Sequence, residues 1–461
     1  MASTYLTKQS PTAGNRTKGT ISMWVKRSGI GSTQYIYTEY LNGTDNGVVY
    51  FAGGNTLDII SYNGSSAEMH LATNRLFRDT NAWYHLVFAW DTSQGTAADR
   101  VKMYINGVQE TSFSTATYPS QNSNLKFGLG SSYHIYIGQK GSSADYFDGC
   151  MSHVHRVDNQ QLNASVFGSF DSVTGEWSIN TSPSITYTGS SSFNFFVLKD
   201  GNSVTDQSGQ SNNLTVGGGT LTKTEDNPSN VFATLNPLQK LGNSNTSLTY
   251  GNTRYYTTSS AWGNITSTLG FSSGKFYVEG KVMTLNSSTG YGSMGIIDST
   301  RATQTTGNES FTATGNTAGM VLDYRSGQSH MQSAGSTVSS NIGDFSNNDI
   351  IGMAIDMDNK ALYIHKAGTY YQIGGVTGVP TSGASKTGAI TIPSGVETCM
   401  IAMGSYTSNA DFCYNFGNGY FLTTAVATNS GNGYAGAEGS SIFNYQPPTG
   451  YSALSTKGLN Q

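Results

Sequence analysis

The segment Arg78–Glu110 constrains the fold most strongly, because it predicts two β-strands joined by a polar loop. In each strand large apolar residues recur at every second position, and this period places their side chains on one face. The residues of that face are Tyr84, Leu86, Phe88 and Trp90 in the first strand and Val101, Met103 and Ile105 in the second. The Asn106–Gly107 pair tolerates positive φ and predicts a tight turn after the second strand. Such a hairpin needs a second sheet to cover its apolar face.

A second hairpin of the same design is predicted for Asp349–Tyr371, far along the chain. Its apolar residues again alternate, and the turn between its strands falls at Asp358–Lys360. The residues of its apolar face are Ile351, Met353, Ile355, Met357, Leu362 and Ile364. Two hairpins so far apart indicate two β-domains, each with its own core.

Length and composition support this division. With 461 residues the chain exceeds what one hydrophobic core usually serves. Charged residues make up 11%, against about 25% in typical proteins, and few long stretches have helical periodicity. We therefore predict an all-β fold of two antiparallel β-sandwiches joined by a long irregular linker. The predicted first domain is residues 1–200, the linker wrapped on it is residues 201–245, and the second sandwich with a C-terminal tail is residues 246–461.

Local patterns within the first domain predict its other elements. Thr20–Lys26 alternates apolar and polar residues and predicts the first core strand. Gln161–Phe170 predicts a short helix or helical turn, and Phe193–Leu198 predicts a last strand that returns to this domain. The stretch after Asp200 is rich in Gly, Ser and Asn with little strand signal, so it is assigned to the linker.

Charge and apolar patterning argue against two classes of protein. The net charge is −4 with no basic run, which argues against a nucleic-acid partner. No apolar run reaches the ~18 residues of a membrane span. The first twenty residues lack the apolar central region of a secretory signal. Assembly inside a cell would explain that absence and the odd number of cysteines, which is three.

Two families share motifs with this chain. Four segments of the first domain resemble the laminin-G-like, concanavalin A-like jelly roll: ISMWVKRSG, RDTNAWYHLVFAWDTSQ, RVKMYINGVQ and YIGQKGSSADYFDGCMSHVHRVD. Four later segments resemble the SPRY domain: SSGKFYVEGKV, YGSMGIID, NNDIIGMAIDMDNKALYIHKAG and FCYNFGNGYF. These resemblances imply a lectin-like jelly roll followed by a SPRY-like sandwich.

The complete tandem is similar to a set of phage-encoded virion proteins. Two segments carry this resemblance, NPSNVFATLNPL at Asn227–Leu238 and PPTGYSALSTKGL at Pro447–Leu459. It implies a structural component of a phage particle, such as a tail fibre, a head fibre or a capsid decoration protein. Such a protein would be assembled in the host cytoplasm and would end on the virion surface. Its implied partners are other virion proteins and host-surface glycan, and it would form a homo-oligomer such as a trimer.

Acidic and histidine residues give weak signals for catalysis or metal binding. A glycosidase needs two carboxyl groups about 5–10 Å apart, whereas the glutamates of this chain are isolated in sequence. Asp356 and Asp358 share a strand face, but they lie where the second hairpin turns. His153 and His155 could supply half of a zinc site, but no third ligand lies nearby at the usual spacing.

Loop residues are the better candidates for binding. Jelly rolls of the kind resembled here often bind calcium on a loop rim, so Asp145 and Asp148 are calcium candidates in a chain otherwise predicted to have no cofactor. Aromatic side chains stack on sugars and anchor protein interfaces. The predicted ligand-binding aromatics are Tyr133, Tyr146, Tyr255, Tyr256, Trp262, Tyr370 and Tyr371.

These observations predict a non-enzymatic structural protein of a phage particle that presents loops to host glycan or to virion proteins. One alternative is a cellular or secreted carbohydrate-binding or adhesion module. A third reading is a polysaccharide depolymerase, because the jelly-roll fold also hosts glucanases.

Overall fold

The chain forms two compact units, Met1–Lys223 and Thr224–Gln461. The computed structural model describes residues 3–9, 12–64, 66–130, 132–141, 144–188, 193–199, 203–242, 246–257, 261–285, 291–301, 310–313, 315–323, 328–406, 410–426 and 433–460. Regular structure in these residues is almost entirely β-strand in antiparallel sheets, so the predicted all-β class is confirmed. None of the helices in this described part has the length and hydropathy of a membrane crossing.

The first unit is a sandwich of two antiparallel sheets. Its strands are β1 (Tyr5–Gln9), β2 (Lys18–Arg27), β3 (Gln34–Tyr40), β4 (Asp45–Phe51), β5 (Leu57–Asn63), β6 (Ser66–Thr73), β7 (Trp83–Asp91), β8 (Val101–Ile105), β9 (Val108–Glu110), β10 (Phe113–Thr117), β11 (His134–Ile137), β12 (Gly149–Asp158), β13 (Gly168–Phe170), β14 (Trp177–Ile179), β15 (Phe195–Val197) and β16 (Thr215–Gly218). A short helix, α1 (Ala97–Arg100), precedes β8.

Apolar side chains from both sheets of the first unit meet in one core. The larger sheet has the order β10-β6-β5-β4-β3-β11-β1-β16, and the smaller has the order β15-β12-β2-β7-β8-β9. Tyr37 and Val49 of the larger sheet and Met23 and Phe88 of the smaller one belong to the same buried cluster. This packing confirms the prediction that the hairpin of β7 and β8 is covered by a second sheet.

The β7–β8 hairpin is as predicted in its strands and turn, but it is buried on both faces. Asn106 and Gly107 have φ of 48° and 81°, as the tight turn requires. Val87 points away from the main core, yet it is fully buried in a second cluster with Phe167 and Trp177. The residues that follow β12 provide this cover, since Ala164–Val166 forms a 3-10 turn and leads into the β13–β14 hairpin.

The second unit is also a sandwich, and it begins at Thr224, before the predicted boundary. Its strands are β17 (Leu235–Gly242), β18 (Thr246–Thr249), β19 (Arg254–Thr257), β20 (Gly263–Phe271), β21 (Lys275–Leu285), β22 (Tyr291–Asp298), β23 (Thr317–Asp323), β24 (His330–Ser333), β25 (Ser336–Ser340), β26 (Ile350–Asp356), β27 (Ala361–Lys366), β28 (Thr369–Tyr370), β29 (Gln372–Ile373), β30 (Val376–Thr377), β31 (Ile390–Thr391), β32 (Cys399–Tyr406), β33 (Ala410–Asn415), β34 (Tyr420–Phe421), β35 (Thr424–Ala425) and β36 (Ser452–Ala453). The helix α2 (Thr456–Leu459) follows β36, and 3-10 turns lie at Phe311–Ala313 and Pro380–Ser385.

Two sheets of the second unit enclose its core. One has the order β17-β20-β32-β22-β23-β24-β25, and the other has the order β18-β19-β33-β21-β26-β27-β28. The predicted hairpin is formed by β26 and β27, and its alternating residues Ile351, Met353 and Leu362 lie in the core with Met294 and Ile401 of the facing sheet.

The residues predicted as a linker are divided between the two units. β16 extends the larger sheet of the first unit by pairing with β1. β17 pairs with β20 in the second unit. The predicted linker is therefore partly strand, because the alternation in these short segments is masked by their many Gly, Asn and Pro residues.

Candidate functional site

The outer face of the larger sheet of the first unit carries a group of aromatic residues, several of them half-exposed. Inward residues of β3, β4 and β5, such as Tyr37, Val49 and Ile59, are fully buried in the core. Because successive side chains alternate, the residues between them point outward. The aromatic residues and histidines of this outer face are Tyr5, Tyr35, Tyr40, Tyr50, Tyr62, His70, His134 and Tyr136.

Four tyrosines form a line across the strands, which we call the tyrosine row: Tyr5, Tyr146, Tyr35 and Tyr50. Tyr35 and Tyr50 are directly opposite each other on β3 and β4, and their rings stack with centroids 4.8 Å apart. Tyr146 reaches the row from the loop before β12 and forms a parallel bridge with Tyr35. Its ring centroid lies 6.1 Å from that of Tyr5 on β1.

The row ends at a hydrogen-bonded acid. Asp58 on β5 is the cross-strand neighbour of Tyr50, whose hydroxyl donates to Oδ2 at 3.4 Å. The Thr56 hydroxyl donates to Asp58 Oδ1 at 3.0 Å. His70 Nε2 lies 3.0 Å from Oδ2, and its side chain is 24% exposed against 9% for Asp58. The acid is thus held in place below the surface, while the imidazole reaches the solvent.

Two hydroxyls of the row, those of Tyr35 and Tyr50, have raised pKa values. Burial, followed by the nearby Tyr62, Asp145 and Asp58, raises the pKa of Tyr35 to about 12. Burial, and then Asp58, also raise the pKa of Tyr50. Lys140 lies with its amine 5.3 Å from the centroid of the Tyr35 ring. The row therefore offers aromatic faces and, at Tyr35 and Tyr50, neutral hydroxyls, with isolated charges of both signs beside it.

Close approach of neighbouring strands holds the outer rings of this face. A Cβ atom at Gly217 would lie 2.1 Å from Tyr5 Cε2, so only glycine allows β16 to pack against that ring. A Cβ atom at Gly141 would lie 2.7 Å from the Tyr40 ring. Gln139 Nε2 donates to the Tyr146 hydroxyl at 3.1 Å. These contacts fix the orientation of rings that are nevertheless half exposed.

Of the aromatics predicted as ligands, Tyr146 lies in the tyrosine row and two others are buried. Tyr133 is 6% exposed, and burial raises its pKa to about 12. Tyr255 is 0% exposed in the core of the second unit, where its hydroxyl donates to the Gly263 carbonyl at 2.6 Å. The expectation that Tyr133 and Tyr255 present ring faces from loops is therefore corrected, because both rings pack inward.

The remaining predicted aromatics are half-buried in the second unit, each beside a different neighbour. The Arg254 guanidinium lies 4.9 Å from the Tyr256 ring. Trp262 packs against Tyr406 with centroids 5.9 Å apart.

The two tyrosines at the end of the second hairpin also have separate neighbours. Tyr370 meets His365 edge to face at 5.0 Å, and Tyr371 packs against Phe345 at 6.4 Å. These contacts do not join Tyr256, Trp262, Tyr370 and Tyr371 into one surface.

In the described residues, the calcium and zinc candidates are not joined by further metal-ligating side chains. Asp145 is exposed, with φ of 54°, whereas burial raises the pKa of Asp148. His153 lies at a bulge of β12 with φ of 50°, and His155 stacks on Phe196 at 3.8 Å. Within the described ranges, no three His, Cys, Asp or Glu side chains are grouped so that they could hold a metal ion. Calcium at Asp145 and Asp148 stays a prediction.

Several acids are committed to structural bonds. Glu39 accepts from Arg156 Nε at 2.9 Å, and both side chains are almost fully buried. Asp356 accepts from the backbone and side chain of Asn359 at 3.0 and 2.9 Å, which is the turn chemistry predicted for the second hairpin. Glu279 is also fully buried, and its carboxylate accepts four hydrogen bonds.

The tyrosine row was missed in the sequence, apart from Tyr146. Tyr5, Tyr35 and Tyr50 each belong to a separate short strand, and Asp58 belongs to a fourth. A possible signal was the alternation in QYIYTEY and VVYF, where tyrosines recur at positions facing away from the apolar residues.

The comparisons with known proteins agree with a lectin-like first unit. A family model described as "Concanavalin A-like lectin/glucanases superfamily" matches residues 2–166. No curated protein matches the chain.

The solved structures that match parts of the chain include two SPRY domains and a pentraxin. The SPRY domain of human HERC1 is 12% identical over 39% of this chain and 96% of its own, with a TM-score of 0.29. The TRIM65 PSpry domain is 10% identical over 40% of this chain and 91% of its own, with a TM-score of 0.29. The native heptameric SAP-like pentraxin from Limulus polyphemus is 18% identical over 35% of this chain and 71% of its own, with a TM-score of 0.25. Likenesses at this level carry no argument about function. The region that carries the tyrosine row is thus similar to the concanavalin A-like superfamily, whose description covers both lectins and glucanases.

Proposed function

We propose that this chain is a non-enzymatic structural protein of a phage particle that binds a surface glycan through the tyrosine row. The row itself is the observation that carries the proposal. The half-exposed rings of Tyr5, Tyr146 and Tyr50 lie on one sheet face around the buried ring of Tyr35, and the row ends at Asp58 and His70. Aromatic faces supply apolar contact to the flat sides of sugar rings, while fixed hydroxyl and carboxylate groups supply hydrogen bonds.

The phage part of the proposal rests on the two segments that resemble virion proteins, and their contacts support it. Asn227–Leu238 and Pro447–Leu459 are far apart in sequence, but Phe232 and Ser455 form an antiparallel bridge. The Ala233 amide donates to the Leu454 carbonyl at 2.9 Å, and the Thr456 amide donates to the Val231 carbonyl at 2.9 Å. The two motifs therefore form one structural feature, as expected if they are inherited together.

The absence of catalysis in this proposal rests on what the acids do. A glycosidase needs one carboxyl group as an acid and a second one beside it. At the tyrosine row Asp58 is bonded to Tyr50, Thr56 and His70, and Glu39 is buried against Arg156. Neither acid has a carboxylate partner across an open surface in these contacts.

Glycan binding can be tested by affinity electrophoresis of the full chain in gels that contain bacterial surface polysaccharides. The wild-type protein should be retarded by the host polysaccharide. Tyr50→Ala should lower the affinity about tenfold, since an aromatic contact contributes about 0.5–1.5 kcal/mol and 1.4 kcal/mol is a factor of ten. Tyr406→Ala in the second unit is the matched control and should bind like the wild type. Equal retardation of both variants would count against the row as the binding surface.

The virion location is tested separately by immunogold labelling of purified particles with antibody to this chain. Gold on the tail, the head fibres or the capsid would support the proposal and assign the position. Sugar binding with no label on any particle would favour a cellular or secreted adhesion module instead. Release of reducing sugar from the bound polysaccharide would favour a depolymerase.

A further inference from the structure

We infer that the ligand of the tyrosine row is an internal stretch of an extended, uncharged polysaccharide that lies across the strands, with sugars against the half-exposed rings of Tyr5, Tyr146 and Tyr50. This inference rests on the proposed glycan-binding function and adds the shape and charge of the ligand. It follows from the order of the four rings, the spacing of the strands and the charges beside the row.

The rings follow a path across the strands because each lies next to the following one on a neighbouring strand or loop. Tyr35 is paired with Tyr50 on one side and bridged to Tyr146 on the other. Tyr146 is followed by Tyr5 on β1, while Tyr50 is followed by Asp58 on β5. Neighbouring strands are about 4.8 Å apart, so the four steps from Tyr5 to Asp58 cover roughly 19 Å. A single terminal sugar would contact one or two of these rings and leave the rest unused.

The surface along the tyrosine row is open at the Tyr5 end, and no contact of the described residues in the row closes it into a pocket there. β16 packs against the edge of the Tyr5 ring through Gly217 and Gly218, which have no side chains that could rise above the sheet. A chain that continues past Tyr5 therefore meets backbone and not a wall. This arrangement suits an internal segment of a polymer better than a chain end, which is usually recognised in a closed pocket.

The charges beside the row favour an uncharged polymer. Lys140 lies over Tyr35, and Asp145 is exposed next to Tyr146. Asp58 lies at the other end, with the His70 imidazole nitrogen 3.0 Å from its carboxylate. Charges of opposite sign so close together give no field of one sign that would attract an anionic or a cationic chain. Specificity must therefore come from stacking and from neutral hydrogen bonds.

The inference is tested by binding of the full chain to an array of size-graded linear oligosaccharides of uncharged hexoses. Within any series that binds, affinity should rise with each added sugar until the ligand spans the four rings and should then level off. Oligomers blocked at either end should bind as well as unblocked ones. Tyr5→Ala and Tyr50→Ala should each lower the affinity for long oligomers about threefold to tenfold and shift the plateau to a shorter length.

The matched control is Tyr40→Ala, since Tyr40 lies on the same strand and outer face as Tyr35 but roughly 16 Å further along it. This variant should keep the wild-type affinity and plateau. If the shortest member of a series binds as tightly as the longest, or if a blocked end abolishes binding, the inference is overturned while the glycan-binding function stands. If no series and no host polysaccharide binds, the proposed function fails and the inference fails with it.

Discussion

Both units carry tyrosines on the outer face of one sheet. In the first unit Tyr35 is buried among neighbours of its own sheet, whereas in the second unit a later segment of the chain covers the tyrosines. There Tyr277 on β21 and Tyr363 on β27 point away from the main core, at 0% and 1% exposure. Residues 433–460, which we call the covering segment, contribute Phe443 and Tyr451 to the same cluster. In the first unit no such segment lies on Tyr50 in the contacts of the described residues, and the ring stays half exposed. The same residue type thus serves as core or as surface, depending on whether later chain returns to the sheet.

One buried acid fastens the covering segment. Glu279 Oε1 accepts from the Tyr445 amide at 2.7 Å and Oε2 accepts from the Asn444 amide at 2.9 Å. The Asn415 side chain and the Tyr277 hydroxyl donate to the same carboxylate at 3.1 and 3.3 Å. The outer-face acid of the first unit is Asp58, and it bonds to Tyr50, Thr56 and His70 of the same sheet and its turn. Glu279 therefore holds a covering segment on the outer face of the second unit, whereas among the described residues Asp58 holds none on the first.

The largest expected effect comes from truncating a covered tyrosine. Tyr363→Ala should lower the free energy of unfolding of the second unit by about 3–5 kcal/mol, because it opens a cavity under the covering segment. Tyr50→Ala should cost the first unit less than about 1 kcal/mol, because the half-exposed ring fills no closed space. Hydrogen exchange with mass spectrometry follows both units in one experiment. Equal losses for the two variants would contradict the comparison.

Removing the fastening acid is expected to have the next largest effect. Glu279→Ala leaves two partly buried backbone amides, those of Asn444 and Tyr445, without this acceptor, which should cost about 3 kcal/mol. Faster hydrogen exchange should be seen in the covering segment before the rest of the second unit. Glu397→Ala removes an exposed carboxylate from the same unit and is the control, with no change expected. Exchange in the covering segment that is unaffected by Glu279→Ala would show that the apolar contacts alone hold it.

The same carboxylate predicts a pH dependence. Burial raises the pKa of Glu279 from 4.5 to about 7, because its effect is larger than that of the four hydrogen-bond donors, which lower the pKa. The folded state therefore holds the proton more tightly than the unfolded chain. Stability from this group is complete below pH 4.5 and is lost as the pH rises through about 7, by at most about 3 kcal/mol.

His365 acts in the opposite direction, so the measurement must isolate Glu279. Burial lowers the pKa of His365 from 6.5 to about 4, and its contribution is lost as the pH falls through that range. We expect the wild type minus Glu279→Gln difference in unfolding free energy to decrease steadily from pH 4.5 to pH 7.5 in denaturant titrations. A difference that is constant with pH would contradict the raised pKa of Glu279.

The smallest effects should come from single hydroxyls. Tyr451→Phe removes a buried donor to the Pro380 carbonyl at 2.9 Å and should cost the second unit about 1 kcal/mol. Tyr50→Phe removes a bond of 3.4 Å at a half-exposed site and should leave stability nearly unchanged. Thermal unfolding of both variants measures the two changes in stability. A larger loss of stability for Tyr50→Phe than for Tyr451→Phe would contradict the assignment of a covered and an open face.

The hairpins could be predicted from sequence because the information that forms them is local. Alternation in β7 and β26 identifies the inward residues, and Asn106–Gly107 identifies the turn. The burial of Val87 could not be predicted, since its cover, Phe167 and Trp177, comes from a hairpin with little strand signal.

The tyrosine row depends on register between strands, which is not local. A bulge after Tyr35 changes which residues of β3 and β4 face each other. Tyr146 enters the row from a loop that follows β11, and nothing in its sequence neighbourhood points to Tyr35. Loop position also misled the prediction for Tyr133 and Tyr255, because a tyrosine next to a turn can place its ring on either side of the sheet. Glu279 looked isolated since its partners lie 165 and 166 residues later.

The pairing of first with last segments in each unit has a consequence for synthesis. In the first unit β1 pairs with β16 near the end of the unit, and the bonded residues Thr7 and Thr215 are 208 positions apart. In the second unit Val231 bonds to Thr456, which is 225 positions later. A nascent chain leaves the ribosome from its N-terminus at about 5–20 residues per second. The first sandwich can therefore close while most of the second is still untranslated.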